Sequence, residues 1–232
     1  MSKENLSIIE LENVNQRYTL GSHTIDALNN INLSIFEEEF IMIMGPSGSG
    51  KSTLINVMAG LEQPSAGTVR IHDEDLSTLS DRELCNLRRH KLGFVFQFFN
   101  LHPVLNAIEN VELPMLISGV KRNQREPRAL ELLRLVNLEN RKHHLPHELS
   151  GGEKQRVGIA RSLANDPEVI LADEPTGDLD SAIGNEIMTL LRDLNQTHRK
   201  TIVCVTHDEE MLKPGMRLIK MEDGRIISDS HL

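Results

Sequence analysis

The stretch GPSGSGKST, from Gly45 to Thr53, directly follows the short apolar run Phe40–Met44. That run shows no alternation with polar residues, which is typical of a strand that is covered on both faces. The largely apolar segment Ser52–Ala59 comes next and has the composition of a helix. A buried strand, a glycine-rich turn and a helix in this order indicate an α/β fold with a mainly parallel sheet.

The glycine-rich turn fits the pattern G-x-x-x-x-G-K-[ST] at every fixed position. Its glycines let successive backbone N–H groups point inward at a polyphosphate, and the helix that follows offers its positive N-terminus to the same anion. Lys51 can reach the β- and γ-phosphates, and the Ser52 hydroxyl can bind Mg²⁺. A plain turn is the alternative. We predict an ATP·Mg²⁺ site made by Gly45, Pro46, Ser47, Gly48, Ser49, Gly50, Lys51, Ser52 and Thr53.

Other segments complete the α/β pattern. The apolar runs Val169–Ala172 and Thr201–Thr206 predict two more buried strands. Ile31, Leu33 and Ile35 alternate with polar residues, so an antiparallel β subdomain is expected in the N-terminal part. Between these parts the chain looks mainly helical, with prolines as breaks between helices. We predict a single domain, 1–232, with an α-helical subdomain inserted at approximately 98–163.

Acidic residues and a histidine follow two of the predicted buried strands. Asp173 and Glu174 come after Val169–Ala172, and His207 comes after Thr201–Thr206. Since the carboxyl ends of parallel strands face the ligand crevice, Asp173 can hold Mg²⁺ and Glu174 can deprotonate an attacking water. His207 can contact a γ-phosphate oxygen or position that water. The alternatives are an ordinary acidic loop and a surface histidine.

The segment Leu149–Glu153 predicts a second anion site. Ser150 can cap a helix that we expect over Lys154–Leu163, while Gly151 and Gly152 expose backbone N–H groups at its positive end. A capped helix start without a ligand is the alternative.

Composition limits the class of protein. The 232 residues carry 25 Lys and Arg against 34 Asp and Glu, a formal charge of −9, with one Tyr and no Trp. This balance argues against broad nucleic-acid binding, so no nucleic-acid partner is expected. Only two cysteines and no secretory signal predict a cytoplasmic protein.

Together these motifs resemble the nucleotide-binding subunit of ATP-binding-cassette (ABC) transporters, over nearly the whole chain and in the family's order. The resemblance assigns family roles to five parts of the chain, which are in order the Q-loop glutamine, the D-loop, the signature loop, the switch histidine and a ring that stacks on adenine. These correspond to Gln97, Asp178–Asp180, Leu149–Glu153, His207 and Tyr18. It implies that Gln97 acts in catalysis and holds Mg²⁺ with Ser52 and Asp173. It also implies that Ser150, Gly151, Gly152, Glu153 and Asp180 serve nucleotide binding.

Two departures from the family pattern stand out. Glu153 lies where many members have Gln, and Asp178 lies where Ala or Asn is commoner. The Asp178 carboxylate adds a charge at the expected dimer interface.

The resemblance also implies partners. Two copies are expected to pack head to tail, so that each signature loop closes on the nucleotide of the other copy. Transmembrane permease subunits are expected to contact the segment after Gln97, with the protein peripheral on the inner face of the membrane. The branch that it resembles serves lipoprotein release, macrolide and peptide export, and cell division. A cell-division ATPase without transport, or a soluble DNA-repair or translation ATPase, are the alternatives.

Overall fold

The computed structural model describes residues 7–21 and 23–232, which contain ten strands and six α-helices. The strands are β1 Ser7–Leu20, β2 His23–Phe36, β3 Phe40–Met44, β4 Ala66–Ile71, β5 Glu74–Asp75, β6 Leu92–Phe96, β7 Val169–Asp173, β8 Thr201–Thr206, β9 Arg217–Glu222 and β10 Arg225–His231. The helices are α1 Lys51–Met58, α2 Asp81–Lys91, α3 Ala107–Ile117, α4 Arg122–Leu135, α5 Gly151–Ser162 and α6 Ser181–Gln196.

The central sheet has six strands in the order β10-β9-β3-β8-β7-β6. All neighbours pair in parallel except β9 and β10, which form the hairpin at Asp223-Gly224. Met44 pairs with Thr206, and Phe96 pairs with Asp173. The carboxyl ends of β3, β6, β7 and β8 therefore meet along one edge of the sheet.

The second sheet is antiparallel, with four strands in the order β2-β1-β4-β5. Leu11 pairs with Leu33 of β2 and with Val69 of β4, and all three side chains are buried. The expected N-terminal antiparallel subdomain and mainly parallel core are both confirmed.

The hydrophobic core consists of two clusters that lie on opposite faces of the parallel sheet. Phe40, Met42 and Met44 of β3 pack with the helices of the middle segment, whereas Ile41 and Ile43 pack with α1 and the antiparallel sheet. All five residues of β3 are buried, as its unbroken apolar sequence predicts.

Helices α3, α4 and α5 lie between β6 and β7 in the chain. The prediction that prolines separate the helices is wrong at two places, since Pro114 lies inside α3 and Pro127 lies inside α4. A proline removes its own N–H donor but keeps its carbonyl. The Pro114 carbonyl accepts hydrogen bonds from the backbone N–H and the hydroxyl of Ser118, at 3.0 and 2.8 Å.

The helical subdomain bounds near 98 and 163 stay a prediction. Within the described ranges, none of the helices combines the length and the apolar character that crossing a bilayer requires.

Candidate nucleotide site

A cavity of about 740 Å³ opens at the carboxyl edge of the parallel sheet. The predicted site residues in its wall come from the glycine-rich turn and from the positions directly after β6, β7 and β8. They are Ser47, Gly48, Gly50, Lys51, Ser52, Thr53, Gln97, Glu174 and His207. Ile25, Asp26, Ala27 and Asp223 also line the cavity, and the sequence motifs did not indicate them. The register of the parallel strands thus brings four separate sequence segments to one site.

The glycine-rich turn is packed closely against its neighbours. Gly50 has a φ of 97°, and a Cβ atom there would lie 2.3 Å from the carbonyl oxygen of Ala27. At Gly45 a Cβ atom would lie 2.1 Å from the carbonyl oxygen of Met221. Both positions therefore require glycine, one of them also because L-residues avoid this backbone conformation.

The Lys51 ammonium bridges the start of the turn. It donates to the carbonyl oxygens of Gly45 and Pro46 at 2.8 and 2.9 Å, and the side chain is buried. Nearby, the Ser49 hydroxyl oxygen is buried and has no hydrogen-bond partner within the described part of the chain. A buried cation beside backbone N–H groups makes this turn suited to an anion.

Oxygen donors meet between the turn and the end of β7. The Ser52 hydroxyl donates to Asp173 Oδ1 at 3.2 Å. Burial raises the pKa of the Asp173 carboxyl; the Ser52 hydrogen bond acts against this shift, and the nearby Glu174 charge adds to it. A partly desolvated carboxylate, a hydroxyl and the Gln97 amide oxygen form the set of hard ligands that Mg²⁺ prefers, so these residues fit the metal.

Glu174 and His207 form a pair at the same edge. His207 Nδ1 lies 2.9 Å from Glu174 Oε2, with 17% of the Glu174 side chain exposed against 68% for His207. Glu174 has a φ of 48°, in the left-handed region, and its N–H donates to the Val205 carbonyl at 3.0 Å. Such strain is found where a site needs a side chain in one direction. The carboxylate is sheltered inside the cavity, and the imidazole lies at the opening.

Tyr18 lies outside the cavity wall, although Ile25, its partner in the β1–β2 pairing, is part of that wall. The Tyr18 hydroxyl donates to Glu62 Oε2, and Asn56 Nδ2 donates to the other oxygen of Glu62 at 2.8 Å. Burial, followed by the Glu62 contact, raises the pKa of Tyr18. The ring is therefore held close to α1, and Glu62 is a residue that no motif indicated.

The signature loop is not part of this cavity wall within the described residues. Helix α5 begins at Gly151, earlier than the predicted start at Lys154, because a reciprocal cap closes its first turn. Ser150 Oγ accepts from the Glu153 N–H at 3.2 Å, and Glu153 Oε2 accepts from the Ser150 N–H at 2.8 Å. The Ser150 N–H, with help from Arg141, lowers the pKa of Glu153.

The D-loop aspartates make contacts within the chain. Asp180 caps α6 by accepting from the Ile183 N–H at 3.0 Å, and Asp178 accepts from Gln97 Nε2 at 3.2 Å. A nucleotide role for Asp180 stays a prediction.

The buried residue Gln155 of α5 connects two strand ends. Its amide donates to the Phe96 carbonyl at 3.3 Å and to the Pro175 carbonyl at 2.7 Å. No motif in the sequence indicated Gln155. The available signal was a polar residue on the same helix face as Ile159, which is buried.

Comparison with known proteins gives the family. The family model described as ABC transporter matches residues 28–177. The chain belongs to the ABC transporter family. An uncharacterized ABC transporter ATP-binding protein of Thermotoga maritima is 50% identical over 219 residues, which is 94% of this chain and 93% of that protein. The macrolide export ATP-binding/permease protein MacB of Sodalis glossinidius is 45% identical over 223 residues, covering 96% of this chain but 34% of MacB.

A solved structure extends the likeness to the fold. The dimeric post-hydrolysis state of the ATP-binding cassette MJ0796 from Methanocaldococcus jannaschii, bound to ADP and Pi, superposes with a TM-score of 0.88. It is 48% identical in sequence and covers 97% of this chain and 98% of that chain. The present chain is thus an ATP-binding, ATP-hydrolysing subunit of the ABC transporter family.

Proposed function

We propose that the chain binds ATP with Mg²⁺ in the cavity at the carboxyl edge of the sheet and hydrolyses the γ-phosphate there. The observation that carries the proposal is the meeting of Lys51, the Ser52–Asp173 pair and the Glu174–His207 pair around one cavity. These groups supply a cation, hard oxygen ligands and a general base, which are the parts that phosphoryl transfer to water requires.

Each group has a step in this mechanism. The turn N–H groups and Lys51 bind the phosphates, the amine exchanging its contacts with Gly45 and Pro46 for phosphate oxygens. Ser52, Asp173 and Gln97 would hold Mg²⁺, which would supply positive charge to neutralise the phosphates. Glu174 accepts the proton of the attacking water, and His207 orients its carboxylate.

The signature loop serves the nucleotide of a second copy. Ser150 and the first turn of α5 form an N-terminal anion site that stands apart from the chain's own cavity. The similar cassette MJ0796 is a dimer in its ADP- and Pi-bound state. A head-to-tail homodimer uses this second site by closing it on the partner copy's γ-phosphate.

The membrane partner is a transmembrane permease. MacB, the relative from Sodalis glossinidius, is named an ATP-binding/permease protein, and the present chain corresponds to a third of its length. Phe98, directly after Gln97, is 71% exposed. A groove of about 440 Å³ is bordered by apolar residues that include Leu61, Phe96 and Ile117, together with Arg88, Arg89 and Arg161. These residues form the docking surface, and the chain functions on the cytoplasmic face of a membrane in an exporter of this branch.

The central test is Glu174→Gln. Loss of the base should lower phosphate release by about 100-fold or more while ATP binding is kept, because general-base catalysis contributes 10²–10⁴-fold. With ATP bound and not consumed, the variant should elute as a dimer in size-exclusion chromatography.

The control is Glu209→Gln, which removes an exposed carboxylate close to His207 in the chain. It should keep normal turnover. Normal turnover in Glu174→Gln would instead remove Glu174 as the base.

A further inference from the structure

We propose that Asp178 is a positioning residue for Gln97: it fixes the amide so that the carbonyl oxygen is kept free for the metal. The inference rests on the proposed function, in which Gln97 gives an oxygen to Mg²⁺. Asp178 is also the D-loop position at which this sequence departs from the family pattern, where Ala or Asn is commoner.

The contact decides which end of the Gln97 amide faces Asp178. Gln97 Nε2 lies 3.2 Å from Asp178 Oδ1, and Gln97 is part of the nucleotide cavity wall. An ionised carboxylate only accepts hydrogen bonds, whereas an amide has its donors on nitrogen and its acceptor on oxygen. The nitrogen must therefore face Asp178, and the Gln97 carbonyl oxygen is left on the other side.

Gly177 holds the same amide from a second direction. A Cβ atom on Gly177 would lie 3.1 Å from Gln97 Nε2 and 3.3 Å from Gln97 Cδ. The Gln97 side chain therefore lies directly on the Gly177 backbone. Contact with Gly177 and a hydrogen bond to Asp178 together restrict both the place and the rotation of the amide.

The backbones that carry the pair are themselves connected. Gln155, which is fully buried, donates to the carbonyl of Phe96, next to Gln97, and to the carbonyl of Pro175, in the segment that leads to Asp178. The two segments are thus kept at a fixed spacing by one buried amide. A hydrogen bond between groups that are already held in place costs less conformational entropy than one between two free surface side chains.

Asp178 could also act only through its charge, since the carboxylate is exposed. Two substitutions distinguish the two modes. Asp178→Ala removes both charge and acceptor, whereas Asp178→Asn removes the charge but keeps an oxygen that can accept from Gln97 Nε2. If Asp178 positions Gln97, the Asn variant should keep the metal affinity that the Ala variant loses. If Asp178 acts only through its charge, both variants should lose the same metal affinity.

The experiment measures metal affinity on the full chain. Mn²⁺ binding is followed by electron paramagnetic resonance with a non-hydrolysable ATP analogue bound, and analogue affinity is measured separately in EDTA. Asp178→Ala should weaken Mn²⁺ binding about three- to tenfold, the size expected for one hydrogen bond, and Asp178→Asn by less than about twofold. Affinity for the analogue in EDTA should stay unchanged in both. Glu209→Ala, which removes another exposed carboxylate, should match the unmodified chain.

Gln97→Ala separates this inference from the proposed function. If Gln97→Ala leaves Mn²⁺ affinity unchanged, the metal role of Gln97 fails. If Gln97→Ala weakens Mn²⁺ binding but Asp178→Ala does not, the positioning role fails and the metal role stands. The double variant should bind Mn²⁺ as Gln97→Ala alone does; an additive loss, or equal losses in Asp178→Ala and Asp178→Asn, would overturn positioning.

Discussion

The glycine-rich turn Gly45–Thr53, called the Walker turn below, and the signature loop Leu149–Glu153 both place glycines at a helix N-terminus, but the two helix ends differ. Helix α1 follows Gly50, which has no side chain to cap it, whereas α5 follows Ser150, whose hydroxyl and Glu153 partner close a capping box. No side chain caps the N–H groups at the start of α1, so they can bind an anion. The start of α5 satisfies part of its own N–H groups in the isolated chain.

The difference indicates two kinds of binding. In the Walker turn, close backbone contacts fix Gly45 and Gly50, and the Lys51 side chain is buried. In the proposed dimer, the signature loop would offer a γ-phosphate donors beside Ser150 that the chain also uses for its own cap. Under this proposal, the second site would be completed only when the other copy arrives.

The largest expected effect is in the Walker turn, for Gly50→Ala. The new Cβ atom would meet the Ala27 carbonyl at 2.3 Å in a left-handed backbone. Unfolding in urea without nucleotide should show a loss of about 3 kcal/mol or more.

Gly48→Ala is the matched control, since φ is 81° there and no atom lies within 4 Å. It should lose only about 1 to 2 kcal/mol, the cost of the backbone conformation. Equal losses in both variants would show that the contact with Ala27 is not what requires glycine.

A smaller effect is expected for Ser150→Ala. Removal of the cap should cost about 1 kcal/mol of unfolding free energy. In the Glu174→Gln background it should also weaken ATP-driven dimerisation, measured by size-exclusion chromatography across protein concentrations.

Ser80→Ala is its control, because Ser80 caps α2 with Glu83 in the same reciprocal arrangement. It should lose similar stability and dimerise normally. Equal dimerisation in the two variants would contradict a shared site.

The smallest effect is expected for Glu153→Gln. The folded-state pKa of Glu153 lies below its ordinary 4.5, so its charge stabilises the fold above that pH, and the contribution is lost as pH falls through the folded pKa. Near pH 7 the variant should lose a few tenths of a kcal/mol, the scale of an exposed ion pair with Arg141.

Urea unfolding at several pH values checks this difference. The variant and the unmodified chain should converge in acid. A difference in stability that is constant from neutral to acid pH would exclude the charge of Glu153 as its source.

Local patterns predicted most elements of the fold but not all their limits. The apolar run Phe40–Met44 is a fully buried strand, as its sequence predicts. The prolines predict breaks, but Pro114 and Pro127 lie inside α3 and α4, because helix packing outweighs the loss of one hydrogen bond. Helix α5 starts early because Ser150 and Glu153 each accept a hydrogen bond from the other's backbone N–H. This cap stabilises the first helical turn relative to an open loop.

The sequence by itself determined the family, the Walker turn and the buried strands that flank the site, because these depend on residue types and short spacings. Only the tertiary structure decided that Tyr18 bonds Glu62, that Gln155 connects Phe96 with Pro175, and that Asp178 bonds Gln97. These contacts join residues far apart in the chain, and their geometry comes from strand register and helix packing. Two of these contacts involve Glu62 and Gln155, which no motif indicated.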